Sequence, residues 1–399
     1  MTRALVSLNA GSSSIKFGLY RLDEAGHPHH AAGGKIEGIG TAPHLAARAD
    51  DGSLAIDRRW ADKVGPDGAA MTHEDLLGEL LGWAVGHLGD NRIVGFGHRV
   101  VHGGADFTGP VRIEDTVMDR MEALSALAPL HQPHNLAAIR AMAKLMPDVP
   151  QVACFDTAFH RGRADETTRF ALPRAFADRG LVRYGFHGLS YAFIARELAR
   201  IAPDLAAGRV VACHLGNGAS LCAMHGGKSI DTTMGFTALD GLVMGTRCGT
   251  LDAGLVLHLI LREGMSAQAV EAMLYQQSGL LGVSGLSSDM RALHASDSEA
   301  ARQAVALFAA RAAREVAAMA TSMGGIDAVV FTAGIGENDA LMRALICERL
   351  TFLGLSLDPA ANATNARTIS GAGSRIAVMV VPTDEERMIA LDTAVCLGF

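Results

Sequence analysis

The sequence contains one local arrangement twice, and this repeat narrows the possible folds more than any other feature. LVSLNAGSSSIKFGLY, residues 5–20, has the pattern of an apolar strand, a turn of small polar residues and a second strand. RVVACHLGNGASLCAMHGG, residues 209–227, follows the same order. The two segments share an architecture but few identical residues, so they indicate one supersecondary unit used in each half of the chain. We therefore expect an α/β protein with two related halves.

Length and composition agree with two well-packed halves. The chain has 399 residues, which is enough for two domains of ordinary size. Hydrophobic residues make up 49% and charged residues 19%, a balance typical of globular proteins rather than disordered ones. The formal net charge of −7 argues against a nucleic-acid-binding surface. Small anionic ligands remain compatible with it, because individual cationic side chains can still converge.

The sequence predicts a protein of a reducing compartment. The start, MTRALVSLNA, shows no signal-peptide h-region, and the apolar run at 255–261 is far shorter than the ~18 residues that a membrane span requires. The six cysteines form no C-x-x-C pair, and Cys154 and Cys213 lie within apolar runs, which favours buried thiols over disulfides or metal ligands. We expect a soluble, cytoplasmic protein that does not bind membranes.

Periodicity predicts several elements along the chain. Residues 72–88 have a helical stripe of leucines and begin with Thr72 and Asp75, a pair that resembles a capping box. Helices are also expected at 134–147 and 299–323, the latter ending at a Gly-Gly pair. A hairpin is predicted around Asp51-Gly52. A second half begins after about residue 157, and no low-complexity linker separates the two halves.

Three glycine-containing turns follow apolar strands, namely NAGSSSIK, HLGNGAS and TAGIGEN. Small residues allow backbone N–H groups to converge, and such nests bind phosphate oxygens. None of the three fits the Walker pattern. A single glycine turn is more often a plain hairpin than a phosphate site, but three at strand ends favour a nucleotide ligand.

A few cationic and imidazole side chains stand out from the rest. Most arginines are solvated surface charges, but Arg99 and Arg247 lie in GHRVVHGG and GTRCGT, where small neighbours suit close approach to an anion. For His131 and His187 we favour hydrogen bonding to an anion over zinc ligation, because a zinc site needs tighter spacing. The HPHH cluster at 27–30 is interpreted as a solvated loop rather than a metal site.

Nine motifs in one order closely resemble the acetate kinases, the acetokinase family of short-chain acyl kinases. The motifs are NAGSSSIKF, GHRVVHGG, FDTAFH, RYGFHG, HLGNGAS, DTTMGFTALDGLVMGTRCGTLD, GLSSDMR, FTAGIGEN and TDEERMIA, and they are distributed between residues 9 and 390. The resemblance implies an α/β fold of two duplicated ribonuclease H-like, actin-like ATPase domains that flank an ATP cleft. It implies an N-terminal domain at 1–157 on the acetate and magnesium side, with the helix 385–399 packed back on it. The nucleotide-binding domain would be 158–384.

The resemblance also implies a reaction and a set of site residues. ATP and acetate would give ADP and acetyl phosphate with Mg²⁺ or Mn²⁺, in a homodimer. The catalytic residues would be Asp156, His187, Arg247 and Arg99; Arg99 would also bind the acetate carboxylate. Substrate contacts would come from Val101, Leu130, Phe186 and His131. The nucleotide would be bound by Lys16, His214, Leu215, Gly216, Asn217, Gly218, Asp289, Met290, Arg291, Gly334, Ile335, Gly336, Glu337 and Asn338. Ser12 and Ser14 would line the phosphoryl path, and Asn9 and Glu385 would hold the metal.

Asp156 is interpreted as orienting an arginine or a magnesium-bound water, since a carboxylate nucleophile releases no proton. The sequence departs from the family pattern at Ala238, where proline is usual, and this departure favours some tolerance of propionate. YGFHGLSY and LHQPHN also differ from the commoner forms. Two alternatives stay open. One is a propionate kinase or broad short-chain acyl kinase, and the other is a nucleotide-gated binding module, which would need an added partner-binding segment.

Overall fold

The computed structural model describes residues 3–11, 13–60, 71–128 and 131–399. The chain divides into two compact units. Unit 1 consists of Met1–Phe159 together with Asp384–Phe399, and unit 2 is His160–Thr383. The sequence places its domain boundaries after residues 157 and 384, while the units divide after Phe159 and after Thr383.

Unit 1 is a large mixed sheet with helices on its faces. Its strands are β1 (Arg3–Ala10), β2 (Ser14–Leu22), β3 (Pro28–Glu37), β4 (His44–Ala49), β5 (Leu54–Arg59), β6 (Arg92–Val100), β7 (Val111–Arg112) and β8 (Gln151–Phe155). Its helices are α1 (His73–Leu88), α2 (Asp115–Ala123), α3 (Gln132–Leu145) and the C-terminal α16 (Glu385–Leu397), with a 3₁₀ turn at Leu124–Leu127.

The sheet of unit 1 has the strand order β5-β4-β3-β2-β1-β6-β8-β7. The pairs β1–β6 and β6–β8 are parallel, and all other neighbours are antiparallel. The first five strands form a meander because each is joined to the next by a short turn. One face packs against α1 and α3 through Phe17, Leu76 and Leu77, which are fully buried. The other face carries α16, whose Ala390 and Ala394 pack on Leu5.

Unit 2 is built around a smaller sheet. Its strands are β9 (Arg209–Leu215), β10 (Ala219–His225), β11 (Lys228–Thr232), β12 (Ala328–Thr332) and β13 (Ala377–Val380). Its helices are α4 (Asp165–Thr168), α5 (Arg174–Asp178), α6 (Gly188–Ile201), α7 (Pro203–Ala207), α8 (Ala253–Leu261), α9 (Ala267–Gln276), α10 (Gly279–Ser284), α11 (Met290–His294), α12 (Glu299–Ser322), α13 (Ala333–Asn338), α14 (Ala340–Glu348) and α15 (Pro359–Ala363). Two further 3₁₀ turns lie at Ala158–His160 and Thr351–Leu353.

The sheets of the two units share one topology. In unit 2 the order is β11-β10-β9-β12-β13, where β9 to β11 are antiparallel and β12 and β13 continue in parallel from β9. In unit 1 the strands β3-β2-β1-β6-β8 have the same order and the same directions. The strand repeat predicted from residues 5–20 and 209–227 is therefore confirmed as the first hairpin of each sheet. The fold is the expected α/β type, with two duplicated ribonuclease H-like, actin-like ATPase domains.

Local signals predicted several element ends correctly. The capping box is present, because Thr72 Oγ1 accepts from the Asp75 N–H and Asp75 accepts from the Thr72 N–H. The Asp51-Gly52 turn joins β4 to β5, and Gly52 has a positive φ of 81°. TAGIGEN is predicted to be a glycine-rich turn that leads into a helix; in the structure residues 333–338 are themselves a short helix, α13, and α14 follows it.

The predicted burial of Cys154 and Cys213 is also confirmed. All six cysteines are free thiols, and Cys154 and Cys213 are each only 1% exposed. Burial raises the pKa of both thiols well above the usual value. Among the described residues, every helix is too short or too polar to span a lipid bilayer.

Candidate active site

Four polar side chains meet where the parallel strands of unit 1 end. Asn9 is near the end of β1, Arg99 is near the end of β6, Asp156 directly follows β8, and Glu385 begins α16. The three strands are adjacent and parallel, so their carboxyl ends lie at one edge of the sheet. Crevices at such edges are where open α/β sheets bind ligands.

The Arg99 guanidinium is held by two side chains. Its Nε donates to Asp156 Oδ1 at 3.0 Å and its Nη2 donates to Oδ2 at 2.6 Å, so the contact is a two-pronged ion pair. Its Nη1 donates to Asn9 Oδ1 at 3.1 Å. Asn9 in turn donates from Nδ2 to Glu385 Oε2 at 3.3 Å. The structure thus brings together four of the residues predicted for this unit.

Electrostatics keep the Arg99 guanidinium charged. The Asp156 side chain is 1% exposed, whereas 21% of the Arg99 side chain is accessible. Burial disfavours the arginine cation, but the charges of Asp156 and Glu385 outweigh it and raise the pKa of Arg99 above its ordinary value. A permanent cation with a fixed direction and a partly accessible surface is suited to binding a carboxylate.

Asn9 and Glu385 fit the ligand preferences of Mg²⁺. The Asn9 amide and the Glu385 carboxylate are neighbours, because Asn9 Nδ2 donates to Glu385 Oε2, while the Asn9 oxygen accepts from Arg99. Mg²⁺ takes oxygen ligands and is usually bound through one or two carboxylates, several waters and substrate phosphates. Among the described residues, no group of three or more His, Cys, Asp or Glu side chains is placed to hold a metal.

Two buried amides that sequence reasoning missed support this edge of the sheet. Asn135, on α3, accepts from the Val101 N–H at 3.0 Å and donates to the Ala10 carbonyl at 2.7 Å, so it ties the ends of β1 and β6 together. Gln132 accepts from the His102 N–H and donates to the His102 carbonyl. The available signal for Asn135 was an amide within the helix predicted at 134–147, whereas Gln132 precedes that predicted helix.

The remaining unit 1 candidates have varied settings. Val101 is 5% exposed and His131 is the N-cap residue of α3. Lys16 is exposed and lies opposite Asn9 in the β1–β2 pairing, while Ser14 begins β2. Ser12 and Leu130 lie outside the described residues.

In unit 2, the candidate histidines form a stacked pair. The rings of His187 and His214 have centroids 4.2 Å apart and an interplanar angle of 17°. His187 Nδ1 is 2.9 Å from Ser220 Oγ, and His214 Nδ1 is 2.9 Å from Ser190 Oγ. His187 has a positive φ of 58° at the N-cap of α6, a conformation that non-glycine residues adopt only where their surroundings enforce it. Phe186, the preceding residue, is 2% exposed.

The turn 214–218 connects β9 to β10 and contacts the loop that carries Arg247. The Gly216 N–H donates to the Gly218 carbonyl, which makes the turn tight. The Gly245 N–H donates to the Asn217 carbonyl at 3.0 Å, and a β-carbon at Gly245 would collide with the Asn217 side chain. Arg247 donates from Nη1 to the Ala238 carbonyl at 2.9 Å. The turn 214–218, which includes Leu215 and Asn217, is therefore in direct contact with the loop that carries Arg247.

The glycine-rich helix α13 is organised by its own glutamate. Glu337 Oε1 accepts from the Ala333 N–H at 2.7 Å and from the Thr383 N–H at 3.0 Å. Asn338 donates to the Gly334 carbonyl. A β-carbon at Gly334 would meet no atom within 4 Å, so the space beside this residue is open. Gly336, in contrast, lies against the backbone of Phe331. The Glu337 carboxylate thus shapes this turn.

The last predicted group lies at the start of α11. Asp289 is the N-cap residue and accepts from the Arg291 N–H and side chain, and these hydrogen bonds lower the pKa of its carboxyl group. The Arg291 side chain is 91% exposed, while Met290 is buried. Asp289 and Arg291 therefore present a polar surface, with Met290 anchoring it to the core.

Known proteins resemble this chain over nearly its whole length. The model of the acetokinase family matches residues 4–391. An acetate kinase of Rhodopseudomonas palustris is 50% identical over 98% of this chain and 97% of the relative. A propionate kinase of Citrobacter rodentium is 42% identical over 98% of this chain and 96% of the relative.

Solved structures agree with the sequence relatives. Porphyromonas gingivalis acetate kinase has a TM-score of 0.85 and 34% identity, covering 99% of this chain and all of that one. A Francisella tularensis propionate kinase has a TM-score of 0.89 and 36% identity, covering 98% and 99%. The family match, the relatives and the fold agree, and the chain belongs to the acetokinase family.

Proposed function

We propose that this protein transfers a phosphoryl group between ATP and acetate to form ADP and acetyl phosphate. The observation that carries the proposal is the Arg99 guanidinium, which is held in one direction by the buried Asp156 at the carboxyl end of the sheet. The acetate kinases among the relatives of this chain supply the substrate class. ATP is expected as the phosphoryl donor because the chain belongs to a kinase family.

The reaction proceeds by direct in-line attack. A carboxylate oxygen of acetate forms a bond to the γ-phosphorus of ATP while the bond from that phosphorus to the β–γ bridging oxygen breaks. Acetate is already ionised at neutral pH, so no proton has to be removed. Catalysis therefore depends on positioning and on charge stabilisation.

Each group of residues contributes to positioning the substrates or to stabilising charge. Arg99 binds the acetate carboxylate, Asp156 orients Arg99, and Val101, Leu130, Phe186 and His131 complete the substrate site. His187 and Arg247 stabilise the charge on the transferring phosphoryl group, with Ser12 and Ser14 along its path. Asn9 and Glu385 would hold Mg²⁺ or Mn²⁺, which would neutralise phosphate charge. The nucleotide is bound by Lys16, by 214–218, by 289–291 and by 334–338.

The expected preference is acetate, with some activity on propionate. Ala238, the residue that departs from the family pattern, accepts a hydrogen bond at its carbonyl from Arg247. It therefore contacts a proposed catalytic side chain. One methylene changes transition-state binding by only ~1–3 kcal/mol, so we expect the two acids to overlap. Because the phosphoryl donor is ATP, we expect the reaction to take place in the cytoplasm.

A homodimer is the expected assembly, and α8 is its proposed interface. Nearly every residue of α8 is apolar, yet none of the nine is buried by the described part of the chain; Leu257 is 56% exposed and Leu261 is 69% exposed. A helix that is apolar all round normally lies in an interior. A groove of about 400 Å³ beside it is lined by Leu255 and Met273. A two-fold axis would place this same surface on both subunits.

The dimer is tested by light scattering coupled to gel filtration. We expect a dimer for the wild type and a monomer for Leu257→Glu. Leu54→Glu is the matched control, because Leu54 is 58% exposed on β5 of unit 1. A dimer that survives Leu257→Glu would refute this interface.

The activity is tested by trapping acyl phosphate with hydroxylamine. The purified protein is incubated with ATP and Mg²⁺ and with acids of two to four carbons. We expect the highest kcat/KM with acetate and a lower value with propionate. Hydroxamate formation from none of these acids would refute the proposed function, and a higher value for propionate would favour the propionate kinase alternative.

A further inference from the structure

Two buried hydroxyl groups lead to the ring of His187. Tyr191 and Ser220 are each 0% exposed. The Tyr191 hydroxyl is 2.5 Å from Ser220 Oγ, and Ser220 Oγ is 2.9 Å from His187 Nδ1. The three side chains therefore form a continuous hydrogen-bonded chain from the interior of unit 2 to an imidazole that we place at the phosphoryl group.

Helix α6 and the strands β9 and β10 hold these three side chains in place. Tyr191 follows His187 by four residues, and this spacing places the two side chains on one face at the start of α6. Ser220 lies on β10, where it pairs with His214 of β9. The His214 ring stacks on His187 and also lies edge-on to Tyr191, with centroids 6.3 Å apart. The rings therefore have little freedom to rotate.

The acidity of the two hydroxyl groups determines which one donates and which one accepts. A phenol O–H is more acidic than an aliphatic O–H, so Tyr191 is the better donor and Ser220 the better acceptor. Burial raises the pKa of Tyr191 well above its usual value, although hydrogen bonds with Ser220 and the His214 backbone oppose the shift. The phenol proton is therefore retained and available to Ser220. Because Ser220 then accepts from Tyr191, its own proton is directed to His187.

We propose that Tyr191 and Ser220 are positioning residues that make His187 Nδ1 a hydrogen-bond acceptor and so hold the neutral ring in the tautomer with its proton on Nε2. The role of that N–H in phosphoryl transfer rests on the proposed function, but the tautomer itself does not. Successive hydroxyl donors strengthen one another in an interior of low dielectric, which favours a single arrangement.

The other ring nitrogen faces the glycine turn. A β-carbon on Gly218 would lie 3.3 Å from His187 Nε2, so this nitrogen lies close to the backbone of the turn 214–218. A nitrogen that carries a proton can donate to an anionic oxygen at this place, whereas an unprotonated nitrogen would repel it. The tautomer therefore decides whether His187 can stabilise a phosphoryl oxygen.

The experiment measures the tautomer and the activity separately in the full-length protein. Histidine is labelled with ¹⁵N, and the ring signals of His187 are assigned from their loss in His187→Gln. Tyr191→Phe removes the phenol hydroxyl, Ser220→Ala removes the contact with Nδ1, and Ser220→Thr retains a hydroxyl. Tyr184→Phe is the matched control, since Tyr184 is also buried and its hydroxyl donates to the Gly180 carbonyl at 2.7 Å.

In the wild type, Nδ1 should resonate as an unprotonated and Nε2 as a protonated ring nitrogen. In Tyr191→Phe and Ser220→Ala, the Nδ1 signal should move towards the protonated position. In the same two variants kcat should fall by about 10- to 100-fold, the range seen when partners that orient a functional imidazole are removed. The KM for acetate should stay within about twofold. Ser220→Thr should restore both readouts, and Tyr184→Phe should change neither.

A protonated Nδ1 in the wild type would overturn the proposal. So would a fall in kcat without a change in the His187 signals, because that result would indicate a packing role. Altered signals with an unchanged kcat would overturn the link to catalysis. Failure of the proposed function is distinguishable, since the wild type would then form no acyl phosphate while the tautomer could still be read from its spectrum.

Discussion

At the scale of single residues, the direction of the Arg99 guanidinium depends on one buried carboxylate. Asp156 accepts hydrogen bonds from two of its nitrogens, Nε and Nη2, and is 1% exposed, whereas Asn9 accepts from only one. A neutral amide at position 156 could accept one hydrogen bond from the arginine but could not balance its charge. Losing one partner of such a pair leaves a charge in a poorly solvated place.

Asp156→Asn should therefore lower kcat/KM for acetate by about 100-fold, corresponding to ~2.7 kcal/mol of transition-state stabilisation. Much of the loss should appear as a higher KM for acetate, because Arg99 would no longer be held in place. The KM for ATP should change little. Steady-state kinetics with each substrate varied in turn checks this expectation.

Arg302→Ala is the control, because Arg302 forms a surface pair with Glu299 and 61% of its side chain is exposed. We expect wild-type kinetics for it. A changed KM for ATP with an unchanged KM for acetate in Asp156→Asn would contradict the assignment of Arg99 to the carboxylate.

Residue identities could be predicted wherever a motif contained them, but their partners could not. Asp156 was expected to orient an arginine or a magnesium-bound water, and in the structure it contacts Arg99. The parts played by Asn135, Ser220 and Tyr191 were missed. Their contacts join positions up to 125 residues apart, and local patterns carry no information about such distances.

At the scale of elements, α16 carries Glu385 to the end of the sheet and rests on glycines of β6. A β-carbon on Gly97 would collide with Thr393 Oγ1 and would lie 2.5 Å from Cγ2 of Ile389. Both contacted residues are 0% exposed, so neither can move aside easily. The close approach of α16 to the strand therefore requires glycine at this position.

Gly97→Ala should lower the free energy of unfolding by ~1–3 kcal/mol, the usual cost of overpacking a core. It should also raise the Mg²⁺ concentration needed for half-maximal activity, because α16 and Glu385 would shift away from Asn9. Urea unfolding and a magnesium titration of the hydroxamate assay measure the two effects.

Gly86→Ala is the matched control on α1, where a new β-carbon meets nothing within 4 Å. It should raise stability by up to ~1 kcal/mol through helix propensity, without changing the magnesium titration. Equal stability losses in both variants would show that tight packing under α16 is not the cause.

Elements with strong local signals could be predicted, whereas the exposure of α8 could not. The capping box and the leucine stripe predict α1, because both are encoded within one helix length. LVLHLIL predicts an apolar segment but not that the described chain leaves it accessible. Exposure depends on which other elements cover a helix, and that is decided by the tertiary arrangement.

At the scale of the whole molecule, duplication was the most predictable property. The two strand-turn-strand segments became equivalent hairpins because a common sheet topology surrounds both. The extra strands β4 and β5 in unit 1 could be inferred only as a local hairpin, since their place at the sheet edge depends on pairing with β3.

Buried histidines give the molecule a pH-dependent stability. His98 and His102 are at most 2% exposed, and burial lowers the pKa of each to about 4. His160 is 2% exposed, and burial, followed by the charge of Arg163, lowers its pKa to about 3. In the unfolded chain, all three return to a pKa of about 6.5.

Below pH 6.5 the unfolded state therefore binds more protons than the folded state, and the free energy of unfolding should fall as the pH decreases from about 6.5 towards 4. Each fully titrating histidine contributes a slope of ~1.4 kcal/mol per pH unit.

Urea unfolding at intervals between pH 7.5 and 4.5 should give a plateau above pH 6.5 and a decline below it. His160→Gln, which keeps a hydrogen-bonding side chain, should reduce the slope by about one histidine's share, whereas His225→Gln, at an exposed side chain, should leave it unchanged. If His160→Gln kept the full slope, the acid sensitivity would have to come from other groups, because a residue that no longer titrates cannot take up the proton on unfolding.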